Sequence, residues 1–160
     1  MHIARVVRSA LSALAISITV PANGAAQVST TPATIHSTVF FADSGVVRET
    51  SGGGKSRAIV DAPTTNFAKL EMHETTLAPG KAPHAGHRHL HEEMMIMRTG
   101  TVSVQLGDRE FIAKPGDVVF AASNEFHGWK NAGSDTATYL IIRIDTPAVA
   151  AAAAAAAKKP

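Results

Sequence analysis

Apolar and polar positions alternate along most of this chain in short runs broken by turns. Residues 101–106 alternate cleanly, with Val102, Val104 and Leu106 on one face, the period-two signature of a strand with one buried side. Residues 57–60 and 67–76 carry a broken version of the same pattern, and 93–97 form a short apolar run. Residues 109–113, 118–121, 126–130 and 138–144 complete the series. Turn chemistry separates the runs: Pro79-Gly80, then Gly107-Asp108 as a tight hairpin, then Pro115-Gly116-Asp117. No segment between 57 and 145 repeats with a helical period. Many short strands divided by frequent turns predict an all-β sandwich or barrel.

The two ends follow different patterns. Arg5 and Arg8 precede an apolar run over residues 10–20, broken by Pro21, Asn23 and Gly24. Gly24 and Ala26 place small residues where a signal peptidase reads, so a signal peptide over 1–26 is expected. The run is shorter than the ~20 residues a membrane span needs. Secretion or delivery to a periplasm follows, with no stable membrane insertion once the leader is removed. Residues 27–56 read as a loose N-terminal segment, rich in Ser, Thr, Pro and Ala and ending in a flexible Gly-rich loop. Gly54-Lys55-Ser56 ends as a phosphate-binding loop ends, but Glu49 stands where that loop requires a glycine. The barrel is expected over 57–146. Residues 147–160 form a low-complexity alanine tail, partly helical by propensity but without an apolar stripe to dock.

Charge changes meaning once the leader is set aside. The whole chain carries 15 Lys and Arg against 13 Asp and Glu. Removing Arg5 and Arg8 leaves 13 against 13, so no basic surface for nucleic acid is indicated. The chain has no cysteine. Disulfides are excluded, and any metal site must be built from imidazole and carboxylate.

Such a site is suggested by His84, His87, His89 and His91, followed by Glu92 and Glu93. Four imidazoles beside a carboxylate are costly to bury without partners. In a strand His87 and His89 share a face, about 6.6 Å apart at the Cβ atoms. That spacing lets both rings converge on one ion with bonds of ~2.1 Å. Glu93, four residues further on, can add a carboxylate from the next strand. A further histidine must come from elsewhere, and His127 is the only one downstream of the cluster. Two alternatives stay open in the register. His89 and His91 can form the pair, although Glu93 is then close, and Glu92 can replace Glu93.

These residues carry a family resemblance. Gly80, six residues, His87-x-His89, three residues, Glu93, six residues and Gly100 resemble the first cupin motif, with one extra residue after the glycine. Pro115-Gly116-Asp117-Val118-Val119-Phe120, then His127, three residues and Asn131 resemble the second. Ala122 and Asn124 replace its later proline and glycine, and Asn tolerates the left-handed backbone such a turn needs. The resemblance covers about residues 66–145. It implies a double-stranded β-helix, or jelly-roll, barrel with His87, His89, Glu93 and His127 as metal ligands near its wider mouth.

One divalent transition metal is therefore expected. Zn, Cu, Ni, Fe and Mn all suit the donors, and loading outside the cytoplasm favours Zn, Cu or Ni. A metal-bound water, or Glu93 itself, is the base expected for catalysis. His84 and His91 are placed beside the ligands or at the rim. Met95 and Met97 share a face with Glu93 and are expected to form an apolar pocket wall, with Trp129 on the face of His127. Met94 reads as filler, and Arg98 and Arg143 as solvated charges. The resemblance reaches enzymes of several reaction types. The expected function is a dioxygenase-like enzyme on a small organic molecule, with a non-catalytic module for a sugar or other ligand as the alternative. Strands before residue 80 offer edges for a homodimer.

Overall fold

The computed structural model describes residues 33–158. The expected signal peptide, 1–26, lies outside the described residues. The elements are β1 (Val47–Glu49), β2 (Lys55–Ala62), β3 (Lys69–Leu77), β4 (Glu92–Thr99), β5 (Val102–Leu106), β6 (Arg109–Ala113), β7 (Val118–Ala121), β8 (His127–Asn131), β9 (Ala137–Asp145) and α1 (Pro147–Ala156). A single 3-10 turn covers Ala42–Ser44.

The strands form two antiparallel sheets. The larger runs β1-β2-β3-β9-β4-β7 and the smaller β6-β5-β8, as expected of a jelly roll. Hydrophobic burial between the inner faces drives their packing. Leu77, Met95, Met97, Val102, Val104, Trp129, Tyr139 and Ile141 form one core cluster. The Gly107-Asp108 hairpin joins β5 to β6 with Leu106 opposite Arg109, as the sequence requires.

Register grades the inner face of the large sheet from apolar to charged. Tyr139 sits between Thr75 and Met97, Ile141 between His73 and Met95, and Arg143 between Glu71 and Glu93. Side chains two apart on a strand share a face, so these three rows lie in succession. The first two anchor the core. The third places ionisable groups at the open end.

Two expectations need correction here. The segment 27–56 is not loose throughout: Val47–Glu49 pairs with Arg57–Lys55 as a hairpin, and β2 begins at Lys55, not 57. The glycines of 52–54 make that hairpin's turn, which the polar composition disguised as a linker. The histidine segment is not a strand; its only ladder contact is a bridge from His87 to His127. The alanine tail is helical over Pro147–Ala156, because the Thr146 side chain accepts a hydrogen bond from the Val149 N–H and Pro147 opens the first turn. No side chain of that helix is buried. Among the described residues no helix is long and apolar enough to cross a membrane.

Candidate metal centre

The site is built where an irregular loop meets β8. The His87 N–H donates to the His127 carbonyl at 2.9 Å, and the His127 N–H returns the bond at 3.0 Å. This bridge needs two backbones to approach closely beside it. Gly86 and Gly128 allow that: a Cβ on Gly86 would stand 2.5 Å from Phe126 Cζ, and one on Gly128 would stand 3.0 Å from Gly86 Cα. The turn at Asn124 supports His89 from behind, its N–H donating to the His89 carbonyl at 2.8 Å. Asn124 has φ 61, so the left-handed turn expected of it is present.

Backbone carbonyls orient two of the rings. His89 Nδ1–H donates to the His91 carbonyl at 2.8 Å, and His127 Nδ1–H donates to the Glu125 carbonyl at 2.9 Å. In a neutral imidazole this leaves Nε2 as a bare lone pair. His89 Nε2, His127 Nε2 and His87 Nδ1 are buried without a hydrogen-bond partner. Buried polar atoms normally have partners, so three orphans in one place need a reason. Burial, then the neighbouring imidazoles, pushes His87 and His89 below the ordinary histidine range, which keeps both neutral and able to ligate.

Geometry supplies the reason. His87, His89 and His127 each offer a donor atom within 4.8 Å of the others. Their ring centroids lie 5.0, 4.9 and 4.5 Å apart, at interplanar angles of 62°, 54° and 68°. Imidazoles bonded to one ion at ~2.1 Å hold their ring centres roughly 4.5–5.2 Å apart. The three histidines therefore form a cluster that fits a single ion.

Glu93 borders this cluster. Its Oε2 lies 3.2 Å from His89 Nε2 and 3.8 Å from His91 Nε2. Burial acts to raise its carboxyl, but His91, His89 and His127 outweigh burial and hold it below the ordinary value. His89, His91 and Glu93 thus make a second convergent trio. In that trio the His89 and His91 rings are stacked at 3.4 Å and 13°. Nitrogen lone pairs lie in the ring plane, so two parallel rings cannot aim at one ion. The first trio passes this directional test and the second does not. The two alternatives therefore separate: Glu93 is close to the His89–His91 pair, as feared, and Glu92 is exposed.

The centre opens to a cavity of about 300 Å³. Its far wall comes from β3 and β9: Glu71, His73, Thr75, Tyr139, Ile141 and Arg143. Sequence reasoning missed this wall, because each strand contributes isolated residues far from the histidine motif. The Tyr139 hydroxyl is buried and unpartnered, with Thr75 and Trp129 near it. The His73 contact at 3.4 Å, with Lys69 adding to it against burial, lowers the Glu71 carboxyl to about 2. Arg143 is not a solvated charge as expected. Its guanidinium is committed to Asp145 at 2.8 Å through two nitrogens and to Glu71 at 3.5 Å.

The other expected neighbours divide. Met95 and Met97 face inward but are fully packed in the core, not on the cavity wall. The core below the charged row closes over them. Trp129 does share the face of His127, stacked on it at 5.3 Å and 26°, and it lines the cavity. His84 reaches the cavity edge with its ring centroid 4.6 Å from that of His87. Arg98 is exposed, as expected of a solvated charge. A larger groove of about 480 Å³ lies outside the small sheet. It takes only His84 from the cluster, so the smaller cavity is the one that matters chemically.

Comparison with known proteins bears on the fold. Residues 73–143 match the family described as a cupin domain. Among solved structures, an RmlC-like cupin from Shewanella frigidimarina is similar at 16% identity and TM-score 0.57, over 69% of this chain and 94% of its own. A predicted oxalate decarboxylase from Thermotoga maritima is similar at 20% identity and TM-score 0.55, over 67% of this chain and 98% of its own. The polyketide cyclase RemF from Streptomyces resistomycificus is similar at 20% identity and TM-score 0.56, over 71% and 82% respectively. At these identities the likeness shows a shared fold. No curated protein sequence matches the chain.

Proposed function

The chain belongs to the cupin superfamily, and from that premise we propose that it is a metal-dependent cupin enzyme acting on a small oxygen-bearing organic molecule, of dioxygenase-like type. The observation that carries this reading is the set of three buried, unpartnered imidazole nitrogens beside an open cavity. His87, His89 and His127 hold the ion, and Glu93, at a spacing from His89 that suits neighbouring ligands, supplies the fourth donor. A bound divalent ion would supply Lewis-acid chemistry toward substrate oxygens there. Trp129 and Ile141 give the cavity its apolar surfaces. His73 lines the cavity beside Glu71.

Two further parts of the proposal concern setting. Export through the 1–26 leader makes Zn, Cu or Ni the resident metal, since these stand above Mn and Fe in the affinity series. Fractionation that finds the intact chain in the cytoplasm contradicts export. A homodimer would form at β1, the edge of the large sheet, where Val47 is exposed. Light scattering that gives a monomer mass contradicts it.

A second reading is ligand binding without turnover, with a sugar as ligand. The hydroxyls of Thr50, Ser56 and Thr75 around the cavity favour it. The deciding experiment is a screen of metal-loaded protein for dioxygen uptake with diketones and polyphenols. Uptake that disappears in His89→Ala supports the enzyme. Uptake that survives in His89→Ala removes the proposed centre from the chemistry, and no uptake with tight sugar binding favours the second reading.

A further inference from the structure

The structure assigns His91, outside the ligand set implied by the motifs, as a positioning residue: its ring braces His89 by stacking and sets a ring nitrogen beside Glu93, without reaching the ion. This inference rests on the metal reading above.

Three observations converge on it. First, the His91 ring lies flat against the His89 ring, 3.4 Å apart and 13° from parallel. A stacked face restricts rotation of His89 about its last side-chain bond, while the His91 carbonyl holds Nδ1 of the same ring. Second, among the described residues the close nitrogen contacts of the Glu93 carboxylate go to His89 and His91. His89 commits its proton at Nδ1 to the His91 carbonyl, so its Nε2 has no proton to offer Glu93. His91 Nε2, at 3.8 Å, is the other imidazole nitrogen beside that carboxylate, on the side away from His87 and His127. Third, the parallel stack directs the in-plane lone pairs of the two rings alongside each other, so His91 cannot ligate the ion that His89 ligates. Residues that orient metal ligands in this way usually contribute 10–100-fold to metal affinity.

The test uses Co²⁺ on the purified full chain, with affinity from competition and the visible spectrum as readouts. His91→Phe keeps a planar ring for stacking and removes Nε2. It is expected to bind Co²⁺ about tenfold more weakly, with the visible bands unchanged because the ligand atoms are unchanged. In a Glu93→Gln background the same substitution should add less than about a twofold loss, since independent sites add and coupled ones do not. His91→Gln restores a donor for Glu93 and should recover part of the affinity. It also covers the case in which the Phe variant fails to fold.

Three results overturn the inference: no loss in His91→Phe, an equal loss in the Glu93→Gln background, or one fewer nitrogen around Cu²⁺ by electron paramagnetic resonance in His91→Phe. Wild-type protein that binds no Co²⁺ at all overturns the metal reading itself, and is seen before any variant is compared.

Discussion

His89 Nε2 and Glu93 Oε2 face each other at 3.2 Å, although neither atom carries a proton to share. His89 commits its proton at Nδ1 to the His91 carbonyl, burial keeps the ring neutral, and Glu93 is held as a carboxylate. Two bare acceptors at hydrogen-bond distance repel unless something positive lies between them. A divalent cation satisfies both. It also satisfies the lone pairs of His87 and His127 that find no partner nearby. This juxtaposition separates a metal centre from a polar loop that happens to be rich in histidine.

Trp129 gives the centre an optical reporter. It is the only tryptophan in the chain, and it stacks on His127 at 5.3 Å. Adding Cu²⁺ or Ni²⁺ should quench its fluorescence, with saturation at one equivalent. In His127→Ala the quenching should need far more metal. Emission unchanged by a saturating metal dose would place the ion elsewhere.

Much of the fold and of the candidate histidine cluster was legible in the sequence, for identifiable reasons. The strands at 109–113 and 118–121 match their expected bounds because turn residues flank both. His87, His89 and Glu93 are close in sequence, and His127 was the only downstream histidine. What escaped was information carried by register. Glu71, His73, Tyr139 and Arg143 reach the site only because β3, β9 and β4 pair in one alignment. Nothing local to those strands marks them. The burial of Met95 and Met97 escaped for a related reason: alternation shows which face a residue is on, but not how far along the barrel the core closes. The hairpin at 47–62 was hidden by its polar, glycine-rich composition.

Glu71 makes acid stability testable. Its carboxyl falls from 4.5 to about 2 in the folded chain, through His73 first and then Lys69, against the cost of burial. A carboxyl with a depressed folded value binds fewer protons when folded, so its stabilisation is present above about 4.5 and disappears as pH falls through about 2. After allowance for solvent screening the contribution is about 1–2 kcal/mol. Urea midpoints measured between pH 6 and pH 2 should decline less steeply in Glu71→Gln than in wild type. Parallel declines would show that Glu71 contributes nothing to the slope.

Asn124 tests the turn that supports the ligand loop. At φ 61 its backbone is left-handed, tolerable for Asn and easier for Gly. Asn124→Gly should melt at or above wild type. Asn124→Ala should lose about 1 kcal/mol, or several degrees in Tm. Because the Asn124 N–H holds the His89 carbonyl and Arg88 grips the Asn124 carbonyl at 2.7 Å, the Ala variant should also bind metal more weakly than the Gly variant. Equal melting of all three would remove the turn from the account.

The core rows below the site set a different expectation. Met95 is fully buried between Ile141 and Val119, so Met95→Ala should cost about 2–5 kcal/mol by leaving a cavity. Met95→Leu, of similar volume, should cost less than about 1.5 kcal/mol and leave metal content unchanged. Loss of metal in a well-folded Met95→Leu would return the methionine to the site.

The most direct test of the central claim is elemental analysis of the protein purified from its native compartment, beside the His89→Ala variant purified in the same way. The account predicts one divalent transition-metal ion per chain in the wild type and close to none in the variant. A wild-type chain without metal, or a His89→Ala chain that keeps its full complement, would contradict it.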